Sequence, residues 1–91
     1  MAAAINVTRR DTAVVIRMSP TLDPPGLALF QQTLQDIVDG PDDVVVVVEI
    51  TAALPIDLSI LDALVEGASG LRAKNGRIVV NTPTHRWSYP P

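Results

Sequence analysis

The residues whose types could do chemistry lie close together in residues 57–62 (DLSILD), directly before a run of apolar residues at helical spacing. Aspartate and serine are the residue types that accept hydrogen bonds from the free backbone N–H groups at a helix N-terminus. Asp57 or Ser59 is therefore interpreted as the N-cap of a helix, with Asp62 in the first turn complementing the helix dipole. The segment has two open interpretations, a simple helix cap and a functional hydroxyl.

Sequence patterns for catalysis and metal binding are absent. The chain contains no GxxxxGK[ST], no GxGxxG after a strand and no GxSxG. It has no cysteine, which excludes disulfides and cysteine zinc sites, and its single histidine, His85, lies near the C-terminus. Glu49 has no second carboxylate or histidine linked to it by sequence, so it is interpreted as a loop or strand-end carboxylate. The sequence predicts a binding protein that is not an enzyme and needs no cofactor.

Short β-branched runs begin the chain. Ile5–Val7 and Ala13–Met18 predict two strands joined as a hairpin. Asp23 followed by two prolines predicts a helix from about Pro24 to Asp39, ended by Gly40 and Pro41. The apolar face of this helix consists of Leu27, Phe30, Leu34, Ile37 and Val38.

Five consecutive valines, Val44 to Val48, predict the central strand, because an uninterrupted β-branched run is typical of a strand buried on both faces. A second helix follows, with Gly76 placed to close it and with Arg72 and Lys74 complementing its C-terminal end. Arg77–Asn81 is the next strand, and the helical connections imply parallel pairing. The apolar stripe of the second helix consists of Ile60, Leu61, Leu64, Val65, Ala68 and Leu71.

Composition narrows the class of protein. The chain has 91 residues, 47% of them hydrophobic, and a formal net charge of -3, which fits a single aliphatic domain. An acidic balance without a Lys/Arg cluster along the sequence argues against nucleic-acid binding. No basic and apolar leader is seen, and no apolar run approaches the roughly 20 residues that a membrane span requires. We therefore expect a cytoplasmic protein without membrane insertion.

A family resemblance rests on two segments. Residues 48–64, VEITAALPIDLSILDAL, resemble the signature of STAS domains, in which a strand ending in an acidic residue precedes a short loop, the sequence Asp-Ser-Ser-Gly-Leu and a helix. Residues 71–83, LRAKNGRIVVNTP, are similar to the family's helix end and following strand, and Asp23 lies where its first helix begins. The resemblance implies an α/β fold, a mixed sheet with helices packed on it in the order β-β-α-β-α-β. It covers roughly Ile5 to Pro83, within a predicted domain of residues 1–83 that lacks the family's final helix-strand-helix.

The resemblance also implies a function. Such domains are bacterial anti-sigma factor antagonists: the unmodified domain binds a serine kinase-like anti-sigma factor and releases the sigma factor, and phosphorylation of a serine, here Ser59, ends the interaction. A helix N-terminus can accommodate the phosphate, which adds about -1.5 to -2 charges to the docking surface. The partner-binding residues that the resemblance implies are Asp23, Asp57, Leu58, Ser59, Ile60 and Asp62.

Two positions depart from the family motif. Leu58 replaces its first serine and Ile60 replaces its glycine. We expect the Ile60 side chain to obstruct a kinase active site while leaving an apolar docking patch. The loss of glycine favours an alternative function, an accessory subunit that binds an ABC transporter ATPase. An unphosphorylated protein-interaction domain is the other alternative.

Residues 84–91 are assigned to a C-terminal tail. Without the family's last elements, the sheet edge beyond Arg77–Asn81 is expected to be open and to allow a homodimer. Trp87 and Tyr89 either fold back over this surface or belong to a disordered tail, and the sequence leaves both possibilities open.

Overall fold

A computed structural model describes residues 5–53 and 55–89. The elements are β1 (Ile5–Arg10), β2 (Ala13–Met18), α1 (Pro24–Val38), β3 (Val45–Ile50), α2 (Leu58–Arg72), β4 (Arg77–Asn81) and β5 (Arg86–Tyr89). The five strands form one mixed sheet in the order β1-β2-β3-β4-β5, in which β2, β3 and β4 are parallel and the two outer pairs are antiparallel. The predicted α/β class and the first six elements are confirmed. The strand β5 was not predicted, because its residues had been assigned to the tail.

The helices cover one face of the sheet. Alternate residues of β2 and β3 are buried, and they share a core cluster with Phe30 and Leu34 of α1 and with Leu64 of α2. The residues between them, such as Val45 and Val47, are only half-buried. The prediction that the valine strand is buried on both faces is therefore wrong. β-branched residues favour a strand wherever it lies, whereas burial of its second face needs a second helical layer.

The helix α1 agrees with its prediction. The Asp23 carboxylate accepts a hydrogen bond of 2.8 Å from the Gly26 N–H, and the prolines occupy the first two helical positions. Phe30, Leu34 and Ile37 are buried, and the helix ends one residue before the predicted Asp39.

The helix α2 differs from its prediction at Val65, which is 53% exposed, whereas Ala63 is buried outside the predicted stripe. The difference arises because α2 turns a line of small residues toward α1. A Cβ atom on Gly70 would lie 2.7 Å from Val38 Cγ1. Only glycine at position 70 permits this approach of the two helices.

The segment after α2 provides hydrogen-bond donors for the C-terminal carbonyls of both α1 and α2. Asn75, at φ 61, is the residue in the left-handed conformation, and Leu71 accepts from the Gly76 N–H at 2.8 Å. Gly76 is required for another reason: a Cβ atom there would lie 2.6 Å from the Val44 carbonyl oxygen. Lys74 does not complement α2 as predicted but donates hydrogen bonds to two carbonyl oxygens at the end of α1, those of Val38 and Gly40.

Within residues 5–53 and 55–89, neither helix has the length and the apolar character needed to cross a membrane.

Candidate partner-binding site

The predicted site residues lie at the edge of the sheet formed by the carboxyl ends of the parallel strands. The helix α1 follows β2 and α2 follows β3, so both helices begin at this edge, where α/β proteins commonly place their binding residues. The two connecting loops are joined by backbone hydrogen bonds, from the Thr51 N–H to the Met18 carbonyl at 2.9 Å and from the Asp57 N–H to the Pro20 carbonyl at 3.1 Å. Asp23 and the start of α2 therefore belong to the same end of the molecule.

Asp57 precedes α2 but does not cap it with its carboxylate. Its backbone carbonyl accepts from the N–H groups of Ile60 and Leu61 at 3.0 and 3.1 Å, whereas its side chain makes no capping hydrogen bond. The interpretation of the Asp57 carboxylate as a helix cap is wrong. Asp57 occupies the N-cap position, so its carboxylate can contribute to α2 only through the helix dipole and not through a capping hydrogen bond.

Ser59 occupies the second position of α2 and its side chain is exposed. Its hydroxyl forms no hydrogen bond with any residue that the structure describes, so it does not cap the helix there either. The N–H groups of Ile60 and Leu61 donate to the Asp57 carbonyl, but the positive end of the helix dipole still favours an anion at this terminus. A phosphate on Ser59 would therefore lie in a favourable electrostatic environment.

The residues on either side of Ser59 differ in burial, and the expectation for Ile60 is wrong. Ile60 is completely buried in the core, so its side chain is neither an obstruction nor an apolar docking patch, as had been expected. Leu58 is 77% exposed and is the apolar residue at the surface. The difference follows from helical geometry, because the residue that is two positions beyond Leu58 lies on the opposite side of the helix.

The other two carboxylates of the predicted site, those of Asp23 and Asp62, differ in their relation to the helix ends. Asp23 is the N-cap of α1, and its Oδ1 is occupied by the Gly26 N–H. Asp62 is exposed but lies beyond the first turn of α2, which contains no acidic residue. The expected interaction of Asp62 with the N-terminal dipole is therefore wrong, because the effect falls off within the first turn.

The strand β5 adds a feature that the sequence analysis missed. Trp87 pairs with Val80 and is half-buried against the core, so of the two possibilities for this residue the folded-back one is correct. The side chain of Tyr89 lies outside the described part of the chain. The alternation of polar and apolar residues in RWSY is the period-two signal of a half-buried strand, and it could have identified β5.

The strand β5 also changes the surface beside the site. The edge of β4, expected to be open, is paired with β5 along its length. An open groove of about 550 Å³ adjoins the carboxyl ends of β3 and β4. The groove is lined by Ala53, Pro55, Ile56, Thr82, Thr84, His85, Arg86 and Trp87.

Neither a metal site nor a known relative assigns a function to these residues. Among residues 5–53 and 55–89, no group of three or more histidine, aspartate or glutamate side chains is arranged to hold a metal ion. No protein-family model, no curated protein and no solved structure matches the chain.

Proposed function

We propose that this chain is a STAS-like anti-sigma factor antagonist, a cytoplasmic protein that binds a serine kinase-like anti-sigma factor through the first turn of α2 and is switched by phosphorylation of Ser59. The observation that carries the proposal is the exposure of Ser59 next to Leu58 at the start of α2. This is the position at which the resemblance to STAS domains puts the modified serine.

The side chains at this position have suitable chemistry for such a switch. Leu58, which is 77% exposed, supplies an apolar side chain directly beside Ser59 that a partner could cover. Phosphate on Ser59 adds about -1.5 to -2 charges beside that contact, and a bound partner would have to desolvate them. The N-terminal end of α2 accommodates the charge, so phosphorylation releases the partner without unfolding the domain.

The substitution of the family's glycine does not oppose this function. Because the Ile60 side chain points from α2 into the core, it leaves the surface around Ser59 clear for a kinase. The isoleucine instead anchors the first turn of the helix to the core. Loss of glycine at this position thus gives no support to the alternative of an ABC transporter subunit.

A pull-down from lysate of the source cell tests the proposal. The baits are the wild type, Ser59→Ala, Ser59→Asp and a control, Ser69→Asp, which adds the same charge at an exposed serine near the other end of α2. We expect an anti-sigma kinase to be retained by the wild type, by Ser59→Ala and by Ser69→Asp, but not by Ser59→Asp.

The same experiment identifies the alternatives. Equal retention of an ABC transporter ATPase by all four baits would make the chain a transporter subunit, and Ser59 would have no switching role. Incubation of the wild type with the recovered kinase and ATP should add one phosphate that Ser59→Ala does not acquire. A partner that is retained but never phosphorylates the chain would leave an interaction domain without a switch.

A further inference from the structure

The face of the sheet that the helices leave uncovered, termed here the open sheet face, has a defined composition. Residues directly opposite each other in neighbouring strands point to the same side of a sheet. The register pairs Val15 with Val47 and Val47 with Val79, and each of these valines alternates along its strand with core residues on the helical side. Val15, Val47 and Val79 therefore form a continuous apolar row across three strands of the open sheet face, next to Ala13 and Val45. Val79 is only 7% exposed, so the accessible apolar surface is supplied by the half-buried side chains of Ala13, Val15, Val45 and Val47.

Arginines surround this apolar row. Arg10, Arg17, Arg77 and Arg86 are all exposed. Arg10 pairs with Ala13, two residues before Val15, and so lies on the same side of the sheet beside the row. The other three alternate with Ile16, Ile78 and Trp87, residues that pack into the core, so their own side chains lie on the open sheet face.

The charge of the chain is divided between the two sides of the sheet. The open sheet face carries four of the seven Lys and Arg residues but only Glu49 of the ten Asp and Glu residues. It therefore has a charge of +3 and the rest of the chain -6, within a net charge of -3. Glu49 lies 3.5 Å from Arg17 and compensates for part of one arginine. The arginines are scattered along the sequence, so only the sheet register brings them together.

The dimensions of the open sheet face limit what can cover it. Five strands at a spacing of about 4.8 Å span roughly 19 Å, and the two arginine levels lie four residues, or about 13 Å, apart along the strands. The area that these two lengths enclose, roughly 250 Å², is much smaller than the roughly 800 Å² per partner that a stable association of two globular surfaces needs. A single segment of about 10 Å diameter, such as one helix, fits it better than a second copy of the domain.

The chemistry of the open sheet face points to protein rather than nucleic acid. Its centre is aliphatic, and Trp87, the one aromatic residue that borders it among the described side chains, packs against the core on the helical side and is not presented for base stacking. An aliphatic centre inside a ring of arginines matches apolar side chains flanked by carboxylates. Two shallow depressions, of about 140 and 300 Å³, lie at the two ends of the valine row. The first has Val15 and Arg17 among its lining residues, and the second has Arg77, Val79 and Trp87.

We propose that the open sheet face binds an acidic amphipathic segment of another protein, with its apolar side chains on Val15, Val45 and Val47 and its carboxylates directed to Arg10, Arg17, Arg77 and Arg86. This surface lies on the opposite layer from α2, so the interaction does not depend on the function proposed for Ser59. It gives the domain two separate protein-binding surfaces.

The test uses two synthetic peptides of about 20 residues that differ only in charge, both helix-forming. One has leucine on one side and glutamate elsewhere, and the other has lysine in place of each glutamate. We expect the glutamate peptide to bind the isotopically labelled chain and to shift the backbone amide signals of Val15, Val47 and Val79 more than those of α1 and α2. The binding affinity should fall as the NaCl concentration rises from about 50 to 500 mM. The lysine peptide should not bind.

Charge-reversal variants locate the interaction. Arg10→Glu combined with Arg77→Glu should weaken binding of the glutamate peptide by about tenfold, because two attractive charges become repulsive. The matched control combines Arg9→Glu with Arg72→Glu, which makes the same charge change at exposed positions away from the open sheet face, and it should change the affinity by less than about threefold.

Three results would overturn the proposal. They are absence of binding by the glutamate peptide, amide shifts confined to the helices, and equal weakening by the two double variants. A single-stranded DNA or RNA oligonucleotide of about 20 nucleotides is the remaining probe. Binding of the oligonucleotide to the open sheet face without binding of the glutamate peptide would assign the arginines to nucleic acid instead. The amide shifts are measured on the wild type, so the result does not depend on the variants being folded.

Discussion

The ammonium group of Lys74, which follows α2, donates a hydrogen bond of 2.8 Å to the carbonyl oxygen of Val38, the last residue of α1. It also donates to the Gly40 carbonyl and lies 4.0 Å from an Asp42 carboxylate oxygen. The last carbonyls of a helix have no intrahelical donor and carry partial negative charge. One lysine thus satisfies the end of α1 and joins the two helices where they finish.

Lys74→Met, which keeps the length of the side chain but removes the ammonium, should lower the free energy of unfolding by about 1–2 kcal/mol. The control is Arg72→Met, which removes the cation in the last turn of α2 and should cost only about 0.3–0.5 kcal/mol. Urea denaturation of both variants measures the difference. Equal costs would mean that the bonds to Val38 and Gly40 contribute nothing beyond general charge.

Asn75 has the left-handed backbone conformation, at φ 61, and its side-chain amide donates a hydrogen bond of 2.7 Å to the Asp43 carboxylate. Asn75→Ala should be about 1 kcal/mol less stable than Asn75→Gly, because both lose the hydrogen bond but only alanine is strained at positive φ. Thermal denaturation of the two variants measures this difference. An alanine variant as stable as the glycine variant would contradict the left-handed assignment.

Gly76→Ala should destabilise the fold by about 1–3 kcal/mol, because the added methyl group meets the Val44 carbonyl oxygen at 2.6 Å and neither backbone segment can move freely. Gly40→Ala is the matched control, since its methyl group would meet backbone oxygens no closer than 3.3 Å. Chemical denaturation should show a clearly larger loss for Gly76→Ala. If the order is reversed, the packing of the α2–β4 turn on β3 is not as described.

Asp23 and Asp57 precede the two helices in similar positions but should respond differently to substitution. Asp23→Ala removes a capping hydrogen bond of 2.8 Å and should cost about 1 kcal/mol. Asp57→Ala removes no capping bond and should cost less than about 0.5 kcal/mol. Stability measured by urea denaturation tests the pair. If Asp57→Ala is as stable as expected, loss of partner binding when it is added as a further bait would be a direct effect on the interface.

Trp87 is the single tryptophan of the chain, so its fluorescence reports on β5 alone. A half-buried ring packed against the core should emit at shorter wavelength, and be quenched less by iodide, than the same residue in urea. Trp87→Ala should also lower the stability by about 1–2 kcal/mol, roughly half the cost for a fully buried ring. Identical spectra in buffer and urea would show that β5 is not docked in solution.

The sequence by itself determined the elements whose signals are local. The proline pair after Asp23, the helical spacing from Leu27 to Val38 and the valine run specified α1 and β3, because capping, periodicity and β-branching act over a few neighbouring residues. Only the tertiary structure decided which surfaces are covered. Val65 and Ile60 have similar apolar character, yet one is exposed and the other buried, because burial depends on where α1 packs.

The contacts between distant residues also required the tertiary structure. Nothing in the local sequence distinguishes Lys74, which closes α1, from Arg72, which lies in the last turn of α2. The four arginines of the open sheet face lie on four different strands, and their common surface exists only because register and strand order place them there. A charge pattern that is absent along the chain becomes a defined surface once the strands pair, because each strand turns alternate residues to the same side of the sheet.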